Sequence, residues 1–540
     1  MAILDLEKSE TPTTFSCEIA IVGAGAVGIA MAAELSRKGH NVLLLEAGGV
    51  SLETRSQDIY NNARSSGFDL DGLHAGRFRL LGGTTNFWGG EHARFDPIVF
   101  EKRPWLNSDG WLIDRETLDS YYDRALSLIG MDGDEASDAA VWKRAKTELP
   151  ELSHGLELFF TRHVKILNFA KLFESDLGAA KITTVVHANV IGLEPDPAGG
   201  RISRIHMRTF GGRKATVSAE RIVLACGTIE ISRLLMLPFI DGRETPWHRN
   251  PWLGRGYIDH IDTTAAQVKP RNSKTFHDLF ENIFFDGFKY NPKIKLLESV
   301  QRERRLVGVA GAFLFRTTYQ ENAQNLRLFV RSILDGRLPP NLRQLPSHVV
   351  ALWKVAVPLV YRYLRDHRTF HPSNSAILFR VTAEQEPLRE SRITLGQERD
   401  ALDMPLVDVH WKIAGSELET IAYFTEQVRD ALREADIADL EIEPSLIARD
   451  PRYLESAADT YHQMGGARMG RDPEHGVVDS DLRMYGIDNL YVAGGAVMPS
   501  SGFPNVTLTS IALGIRLCDH LAAARTTSHV IHSDHLLEAS

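Results

Sequence analysis

The chain has 540 residues, of which 43% are hydrophobic, and 61 Lys and Arg against 70 Asp and Glu give it a net charge of −9. This ordinary globular composition excludes wholesale disorder and a fibrous protein, and the length predicts more than one domain. The mild acidity provides no basic stripe, so no nucleic-acid partner is expected. Three cysteines far apart in the sequence indicate neither a disulfide framework nor a cysteine zinc site.

The sequence contains neither a recognisable signal peptide nor an uninterrupted apolar run of about 18 residues. We therefore expect a soluble protein in the cytoplasm. No metal site is predicted either, because the three tail histidines at positions 529, 532 and 535 have a poor spacing for zinc.

The first informative motif is a glycine pattern between two apolar runs. Glu18 to Val22 is predicted as a buried parallel strand, and the sequence GAGAVG at 23–28 follows at once. A helical pattern then runs to about residue 38, and a second buried strand at 41–45 ends in Glu46. The motif thus contains, in order, a strand, a glycine pattern, a helix, a second strand and an acid. This order predicts a dinucleotide-binding unit.

Each residue of this motif has a separate predicted role. Gly23 permits a tight turn out of the strand, and Gly25 leaves room for a pyrophosphate beside the backbone. Gly28 allows the helix to pack closely on the sheet, and the helix N-terminus supplies N–H donors. Glu46 can accept hydrogen bonds from both ribose hydroxyls of an adenosine. The motif alone does not separate NAD from FAD, although the short ending LLEAGG is more typical of flavoproteins.

Two later stretches also point to this unit. The segment GRFRLLGGTTNFWGG at 76–90 reads as a loop that approaches something planar or phosphorylated. Strands with short turns are predicted over 183–225, followed by Gly227 and a helix from about Ile229. We expect this strand, turn and helix to return into the nucleotide-binding sheet.

The region 241–455 lacks such a motif and is predicted to form a separate antiparallel substrate domain. Strands are expected at 262–268, 307–315 and 376–382, and a helix at about 416–434. Within this region, 327–368 has a local charge balance of +6. It is either an amphipathic basic lid that touches a membrane surface or anionic partner, or a helical hairpin that covers the active-site entrance or a subunit contact. The second reading is favoured because Pro358 interrupts the apolar stripe.

The C-terminal region carries a second set of motifs. A buried strand is predicted at 490–493, followed by Gly494 and Gly495. A helix is expected to begin near Thr507, with Thr507 as a plausible N-cap. A strand, a glycine pair and a capped helix indicate another end of the sheet that faces a phosphate or a flavin.

With these motifs in order, the chain resembles the glucose-methanol-choline (GMC) oxidoreductases, which are FAD enzymes that oxidise alcohols. The matching positions are the dinucleotide motif, Gly82 to Thr85, Leu224 to Thr228, His462, and Asn505, which lies 43 residues after the histidine. The histidine and asparagine pair resembles pyranose oxidase and the bacterial sugar and C-glycoside oxidases. Pyranose oxidase carries a flavin-linked histidine where this chain has Phe87, so the resemblance implies non-covalent FAD.

The resemblance implies an α/β fold with two domains. The Rossmann-like FAD-binding domain would comprise 1–90, 183–240 and 456–525, and the antiparallel substrate-binding domain 91–182 and 241–455, before a polar tail at 526–540. The expected cofactor-binding residues are Gly23, Gly25, Ala26, Val27, Gly28, Glu46, Ala47, Gly83, Thr84, Asn86, Phe87, Trp88, Gly89, Val190, Cys226, Gly227, Gly495, Ala496, Asn505, Val506 and Thr507.

The predicted reaction is oxidation of a secondary alcohol, on a sugar or glycoside, to a ketone. The substrate hydroxyl is too weak an acid to ionise alone, so His462 is assigned as base and Asn505 as its hydroxyl-orienting partner. Oxygen or another acceptor would take the electrons. The alternatives are a lyase with structural FAD, a dehydrogenase of a non-sugar alcohol, and an NAD enzyme. His260 is left unassigned, and a homo-oligomer or peripheral contact through 327–368 stays open.

Overall fold

The computed structural model describes residues 3–106, 108–132, 137–316, 357–372 and 375–537, with side chains described as far as residue 523. In chain order the strands are β1 Ile3–Asp5, β2 Thr14–Val22, β3 Val42–Leu45, β4 Arg64–Gly67, β5 Glu91–His92, β6 Leu156–His163, β7 Ile182–Val186, β8 Asn189–Pro195, β9 Ile202–Arg208, β10 Lys214–Leu224, β11 Ile261–Pro270, β12 Ile283–Phe285, β13 Phe288–Leu296, β14 Val309–Arg316, β15 Ala376–Ala383, β16 Arg392–Arg399, β17 Pro405–Trp411, β18 Ala438–Ile442 and β19 Leu490–Val492. The helices are α1 Ala26–Arg37, α2 Thr54–Gln57, α3 Arg115–Leu128, α4 Asp138–Arg144, α5 Phe169–Leu172, α6 Glu174–Leu177, α7 Thr228–Leu235, α8 Ser273–Phe280, α9 Glu298–Arg304, α10 Ser416–Glu434, α11 Pro444–Ile447 and α12 Val506–Leu537.

The first sheet has the strand order β1-β7-β3-β2-β10-β9-β8, with β19 paired to the far end of β10. Strands β2 and β3 end in unbroken apolar runs that are buried on both faces, as expected for parallel strands covered by helices. β10 pairs parallel with β2 and β19, and antiparallel with β9. This sheet therefore collects segments from the beginning, the middle and the end of the chain.

The second sheet is antiparallel, in the order β18-β11-β15-β14-β13-β6-β5, with β12 paired to β13. The sequence FKYNPKIKL of β13 alternates strictly between buried and partly exposed residues. Such alternation buries one face of an antiparallel sheet and leaves the other polar. Part of the apolar face, including Ile294 and Leu296, belongs to a second core shared with α8 and α10. The polar face of β13 carries Lys289, Asn291, Lys293 and Lys295.

A third, small sheet joins the two predicted domains. It has the order β16-β17-β4, and β4 pairs parallel with β17. The segment at 64–67, close to the dinucleotide motif in sequence, thus packs with strands of the middle region.

The long helix α12 completes the first core. Within the described residues, the stretch Val506–Ala523 is long and apolar enough to cross a membrane by length and composition, but 61% of it is buried inside the protein. It packs against α1 and α3 and contributes Leu508, Ile511 and Leu517 to the core. It is therefore a core helix.

The α/β fold class is confirmed, and α10 occupies the predicted residues 416–434. One local prediction was wrong: α12 begins at Val506, so Thr507 lies inside its first turn and Asn505 occupies the position before the helix. The basic segment 327–368 lies largely outside the described residues. Its described part includes a helical stretch at 357–366 in which Pro358 is accommodated in the helix.

Candidate active site

A cavity of about 670 Å³ opens where β2, β3, β10 and β19 of the first sheet end. Its walls come from the motif at 23–27, the loop at 83–91, the turn at 460–463 and the start of α12. Brought together in this way, the carboxyl ends of parallel strands and the starts of helices form the usual binding crevice of an open α/β sheet.

The glycine motif leaves an open cradle in this cavity. A Cβ on Gly25 would meet nothing within 4 Å, whereas a Cβ on Gly28 would lie 1.9 Å from the Gly23 carbonyl oxygen. Gly23 has φ of +105°, a left-handed conformation that favours glycine. A Cβ added to Gly227 or Gly494 would likewise meet nothing within 4 Å. The cradle thus has free space beside the backbone, which is what a bound pyrophosphate requires.

Glu46 closes one side of this cradle. Its Oε2 accepts a hydrogen bond from the Ala24 N–H at 3.1 Å, and its Oε1 accepts one from the Gly48 N–H at 2.9 Å. Burial raises the pKa of Glu46, although these N–H groups and the Arg79 guanidinium oppose the shift. The second lone pairs of both oxygens remain available to the hydroxyl groups of a ribose.

A buried group of charged and aromatic residues lines the cavity near Glu46. Arg77 bonds Glu230 at 2.7 Å and lies 3.8 Å from the centre of the Tyr60 ring. Burial disfavours the Glu230 carboxylate, but Arg233 and Arg77 outweigh it and lower the pKa of Glu230. The fixed charges and the aromatic ring suit the adenosine part of a dinucleotide better than a purely apolar ligand.

His462 and Asn505 line the same cavity. Both side chains are partly buried, and Asn505 stands directly before α12. Burial lowers the pKa of His462 to about 4. Two smaller effects act against each other, since Glu91 raises this pKa and Lys293 lowers it. At neutral pH the imidazole is therefore uncharged and able to accept a proton.

His462 lies on a turn held by two buried carboxylates. Tyr461 within this turn has φ of +65°, which is unfavourable for a bulky residue. Asp459 accepts a hydrogen bond from the Tyr461 N–H, and Asp259 accepts one from the His462 N–H at 3.1 Å. Burial and the Asp459 carboxylate raise the pKa of Asp259. Strained backbone held by its surroundings is typical of functional sites.

A polar wall faces His462 from the second sheet. Glu91 bonds the Lys293 ammonium at 2.7 Å and also accepts a hydrogen bond from the Thr161 hydroxyl. Burial opposes ionisation of Glu91, but Lys293 and His163 outweigh it and hold its pKa far below the usual range. Glu91 is thus a permanent carboxylate on the cavity wall.

Asp259, His260 and His462 also place their donor atoms within 4.8 Å of one another, as a metal site would. Several polar atoms of this cluster already form hydrogen bonds, since His260 Nδ1 and His462 Nδ1 are 3.0 Å apart and Asp259 Oδ1 accepts several N–H groups. The chemistry of this cluster is therefore better described by hydrogen bonding than by metal coordination.

Most of the residues predicted from the sequence meet at this cavity. Those that line it are Gly23, Gly25, Ala26, Val27, Glu46, Ala47, Gly83, Thr84, Phe87, Trp88, Gly89, Val190, Cys226, Gly227, His462, Gly495, Asn505, Val506 and Thr507. Burial raises the pKa of Cys226 to about 12, so its thiol is neutral.

Three of the predicted cofactor-binding residues do not line the cavity and lie behind its wall. Gly28 packs on Gly23, Asn86 donates to the carbonyls of Leu81 and Gly83 within its own loop, and Ala496 is fully buried. Sequence reasoning missed Arg77, Glu91, Asp259 and Thr460. Arg77 lies within the glycine and threonine loop at 76–90 and Glu91 directly follows it, so this loop was a usable signal for both.

An open cradle, a buried acid beside it and a neutral histidine in one cavity are features of dinucleotide-dependent oxidoreductases. Residues 18–284 match the FAD dependent oxidoreductase family, and residues 387–514 match the GMC oxidoreductase family. The chain thus combines an FAD-dependent oxidoreductase region with a GMC oxidoreductase C-terminal region, and its relatives are enzymes that oxidise alcohol groups.

Its relatives include enzymes with several substrates. The chain is 22% identical to the fructose dehydrogenase large subunit of Gluconobacter japonicus, over 94% of this chain and 98% of that protein. It is 29% identical to the 6'''-hydroxyparomomycin C oxidase of Streptomyces lividus, over 32% of this chain and 31% of that enzyme. Among solved structures, pyridoxine 4-oxidase from Mesorbium loti superposes with a TM-score of 0.57 at 18% identity, covering 93% of this chain and 99% of that one. This last likeness shows the fold.

Proposed function

We propose that this enzyme oxidises a secondary alcohol of a sugar or glycoside to a ketone, with His462 as general base and oxygen or another acceptor as final oxidant. The observation that carries the proposal is the shared cavity: His462 and Asn505 line the same space as the open glycine cradle. A base and an amide beside a dinucleotide site are what the oxidation of an alcohol requires.

His462 and Asn505 have different roles in the proposed reaction. The neutral His462 accepts the hydroxyl proton, and Asn505 orients the hydroxyl group and stabilises the negative charge that develops on its oxygen. When bound, FAD supplies the two-electron acceptor for the hydride lost by the carbinol carbon. Ala26, Val27, Glu46 and the open face of Gly25 would hold FAD, because they combine helix N–H donors, a ribose acceptor and free space.

Two observations support a polyhydroxylated substrate. Glu91 lines the cavity as a carboxylate held by its ion pair with Lys293, and it offers a fixed acceptor for a neighbouring hydroxyl group. The relatives named above include a fructose dehydrogenase and an aminoglycoside oxidase. A simple alcohol has no second hydroxyl group to donate to the Glu91 carboxylate, and so gains less binding free energy from this wall.

Anaerobic mixing of the FAD-loaded enzyme with a panel of sugars, glycosides and simple alcohols tests the proposal. We expect bleaching of the flavin absorbance by at least one sugar or glycoside, and identification of the product as a ketone. Admission of oxygen then separates an oxidase from a dehydrogenase by the rate of recolouring. Bleaching by simple alcohols alone would exclude the substrate class, and turnover of a substrate without bleaching would favour the lyase.

We also propose that FAD is bound without a covalent link. Phe87 stands at the position of the flavin-linked histidine of pyranose oxidase, and its ring lies 4.3 Å from that of Phe78 at the cavity. A phenyl ring offers no nucleophile for such a link. Acid precipitation should therefore release all yellow colour into the supernatant, and a yellow pellet would contradict the proposal.

A further inference from the structure

We propose that Thr460 and Asp259 are positioning residues that fix one tautomer of His462, with the proton on Nδ1 and the lone pair of Nε2 free for the substrate. This inference rests on the proposed function, in which His462 is the base. It concerns groups that the sequence did not assign, and it follows from the direction in which each hydrogen bond must run.

The backbone brings these residues together through an irregular antiparallel pairing. Ile258 bridges to Met464, and Asp262 bridges to Ala458. Between the two bridges the segment that carries His462 is two residues longer than its partner. The extra residues form a bulge in which Tyr461 takes its left-handed conformation. Bulges of this kind redirect a side chain, here that of His462, next to an active site.

The direction of the hydrogen bonds begins at one oxygen of Asp259. Its Oδ1 accepts the backbone N–H groups of His260 at 2.7 Å, Thr460 at 3.1 Å and His462 at 3.1 Å. An oxygen approached by three N–H donors is itself an acceptor. The Thr460 hydroxyl, 2.9 Å from the same oxygen, must therefore donate its single proton to Asp259.

This requirement determines the protonation of His462. Thr460 Oγ1 lies 2.7 Å from His462 Nδ1, and its only proton is already committed to Asp259. The hydroxyl oxygen can then only accept, so Nδ1 of His462 carries a proton and donates it. A neutral imidazole has one proton, and Nε2 is consequently unprotonated. The lone pair needed for general-base catalysis is on the nitrogen that is not used by the turn.

His260 fits the same arrangement. Its Nδ1 is 3.0 Å from Nδ1 of His462, and two N–H groups cannot point at each other. The Nδ1–H of His462 is then shared between Thr460 Oγ1 and His260 Nδ1, and His260 keeps its own proton on Nε2, a buried atom without a hydrogen-bond partner among the described residues. The His260 side chain has no exposed surface, and burial and His462 keep its pKa well below the usual value. His260 therefore stays neutral and does not compete for the substrate proton.

The same contacts serve the reaction after proton transfer. The imidazolium formed on His462 keeps its Nδ1–H bond to Thr460, and the Thr460 hydroxyl links it to Asp259 Oδ1. Chains of hydrogen bonds in a low-dielectric interior strengthen one another. Thr460 lines the cavity, but its hydroxyl group is engaged with Asp259 Oδ1 and His462 Nδ1, so both residues act through the base.

Three variants of the FAD-loaded enzyme test the proposal. Thr460→Val is nearly isosteric but removes the acceptor, so we expect flavin reduction to slow about tenfold with little change in substrate KM. Thr460→Ser restores an acceptor and should recover most of the rate. Thr382→Val is the matched control, because the Thr382 hydroxyl also donates to a buried aspartate, Asp262, at 3.0 Å. It should leave the rate unchanged.

A second measurement does not depend on activity. The 15N shifts of the imidazole nitrogens in histidine-labelled protein report the tautomer, and the His462 signals are assigned by their loss in His462→Gln. We expect the Nδ1–H form in the wild type and in Thr460→Ser, and a mixture in Thr460→Val. An Nε2–H wild type overturns the proposal even if Thr460→Val does not fold. Signals or rates changed by EDTA would mean that a cation organises the cluster and would also overturn it.

Failure of this inference is distinguishable from failure of the proposed function. If His462→Gln reduces flavin at the wild-type rate, the base assignment fails. If His462→Gln is slow but Thr460→Val keeps the wild-type rate and tautomer, only the positioning role fails.

Discussion

The two ends of the cavity are built on opposite principles. The cradle at 23–28 is made of backbone and small residues, and its essential property is the space beside Gly25. The turn at 460–463 is made of side chains whose hydrogen bonds determine where each proton lies. Binding of a large cofactor thus depends on vacant volume, whereas proton transfer depends on polar groups held in one arrangement.

The largest expected effect lies at the catalytic turn. His462→Ala removes the base but leaves the cradle intact, so the enzyme should retain FAD and lose flavin reduction by more than about a hundredfold. Stopped-flow absorbance under anaerobic conditions measures this rate, and the FAD content of the purified variant is its control. Wild-type bleaching by the variant would remove His462 from the mechanism.

At the cradle a substitution should affect binding and spare the fold. Gly25 has φ of −85°, which a branched residue adopts without strain, and Gly25→Val would fill the open space. We expect FAD affinity to fall at least about tenfold, measured by fluorescence titration of the apoprotein. Gly200→Val is the matched control, because it adds the same side chain to open space outside the cavity. Equal affinity of the two variants would contradict the assignment of the cradle.

The polar wall predicts an intermediate effect on specificity. Glu91→Gln replaces a charged acceptor by a neutral one, so KM for a sugar should rise about tenfold while that for a simple alcohol changes little. Glu157→Gln is the control, because it changes a carboxylate of the same sheet, on β6 and 3.6 Å from Lys295. It should change neither the KM for the sugar nor the KM for the simple alcohol. An equal rise for both kinds of substrate would show that Glu91 acts on the reaction and not on recognition.

The smallest expected effect is the response to mild acid. The lowered pKa of His462, about 4, keeps the base neutral until the pH falls toward that value, so activity is lost on the acid side only. Between pH 8 and pH 5, kcat/KM should change by less than about twofold through this residue. A histidine with an ordinary pKa would lose about thirtyfold over that range. A pH profile of kcat/KM distinguishes the two cases.

The cradle was predictable from sequence because its parts are local. Gly23, Gly25, Gly28 and Glu46 lie within two strands and one helix, and each has a steric or polar role that other residue types fail to fill. The helix α10 was equally accessible, since its apolar spacing is regular. His462 and Asn505 were found through the resemblance to the family.

The rest of the catalytic turn was not predictable in this way. Asp259 and Thr460 are separated by about two hundred residues, and only the irregular pairing around Ile258 and Met464 brings them together. The Glu91 wall likewise depends on the register between β5, β6 and β13. Neither periodicity nor spacing encodes the register of distant strands, so such contacts appear only in the folded chain.

The placement of β10 has a consequence for synthesis of the protein. This strand pairs with β2 near the beginning of the chain and with β19 near its end, and the cavity also needs the start of α12. Contacts of such long sequence separation form late and slowly. The ribosome therefore makes the glycine loop early, but the sheet that supports this loop is complete only when almost all of the chain has emerged. During that interval the unpaired edge of β10 is exposed to other chains, and cofactor capture coincides with the last step of folding.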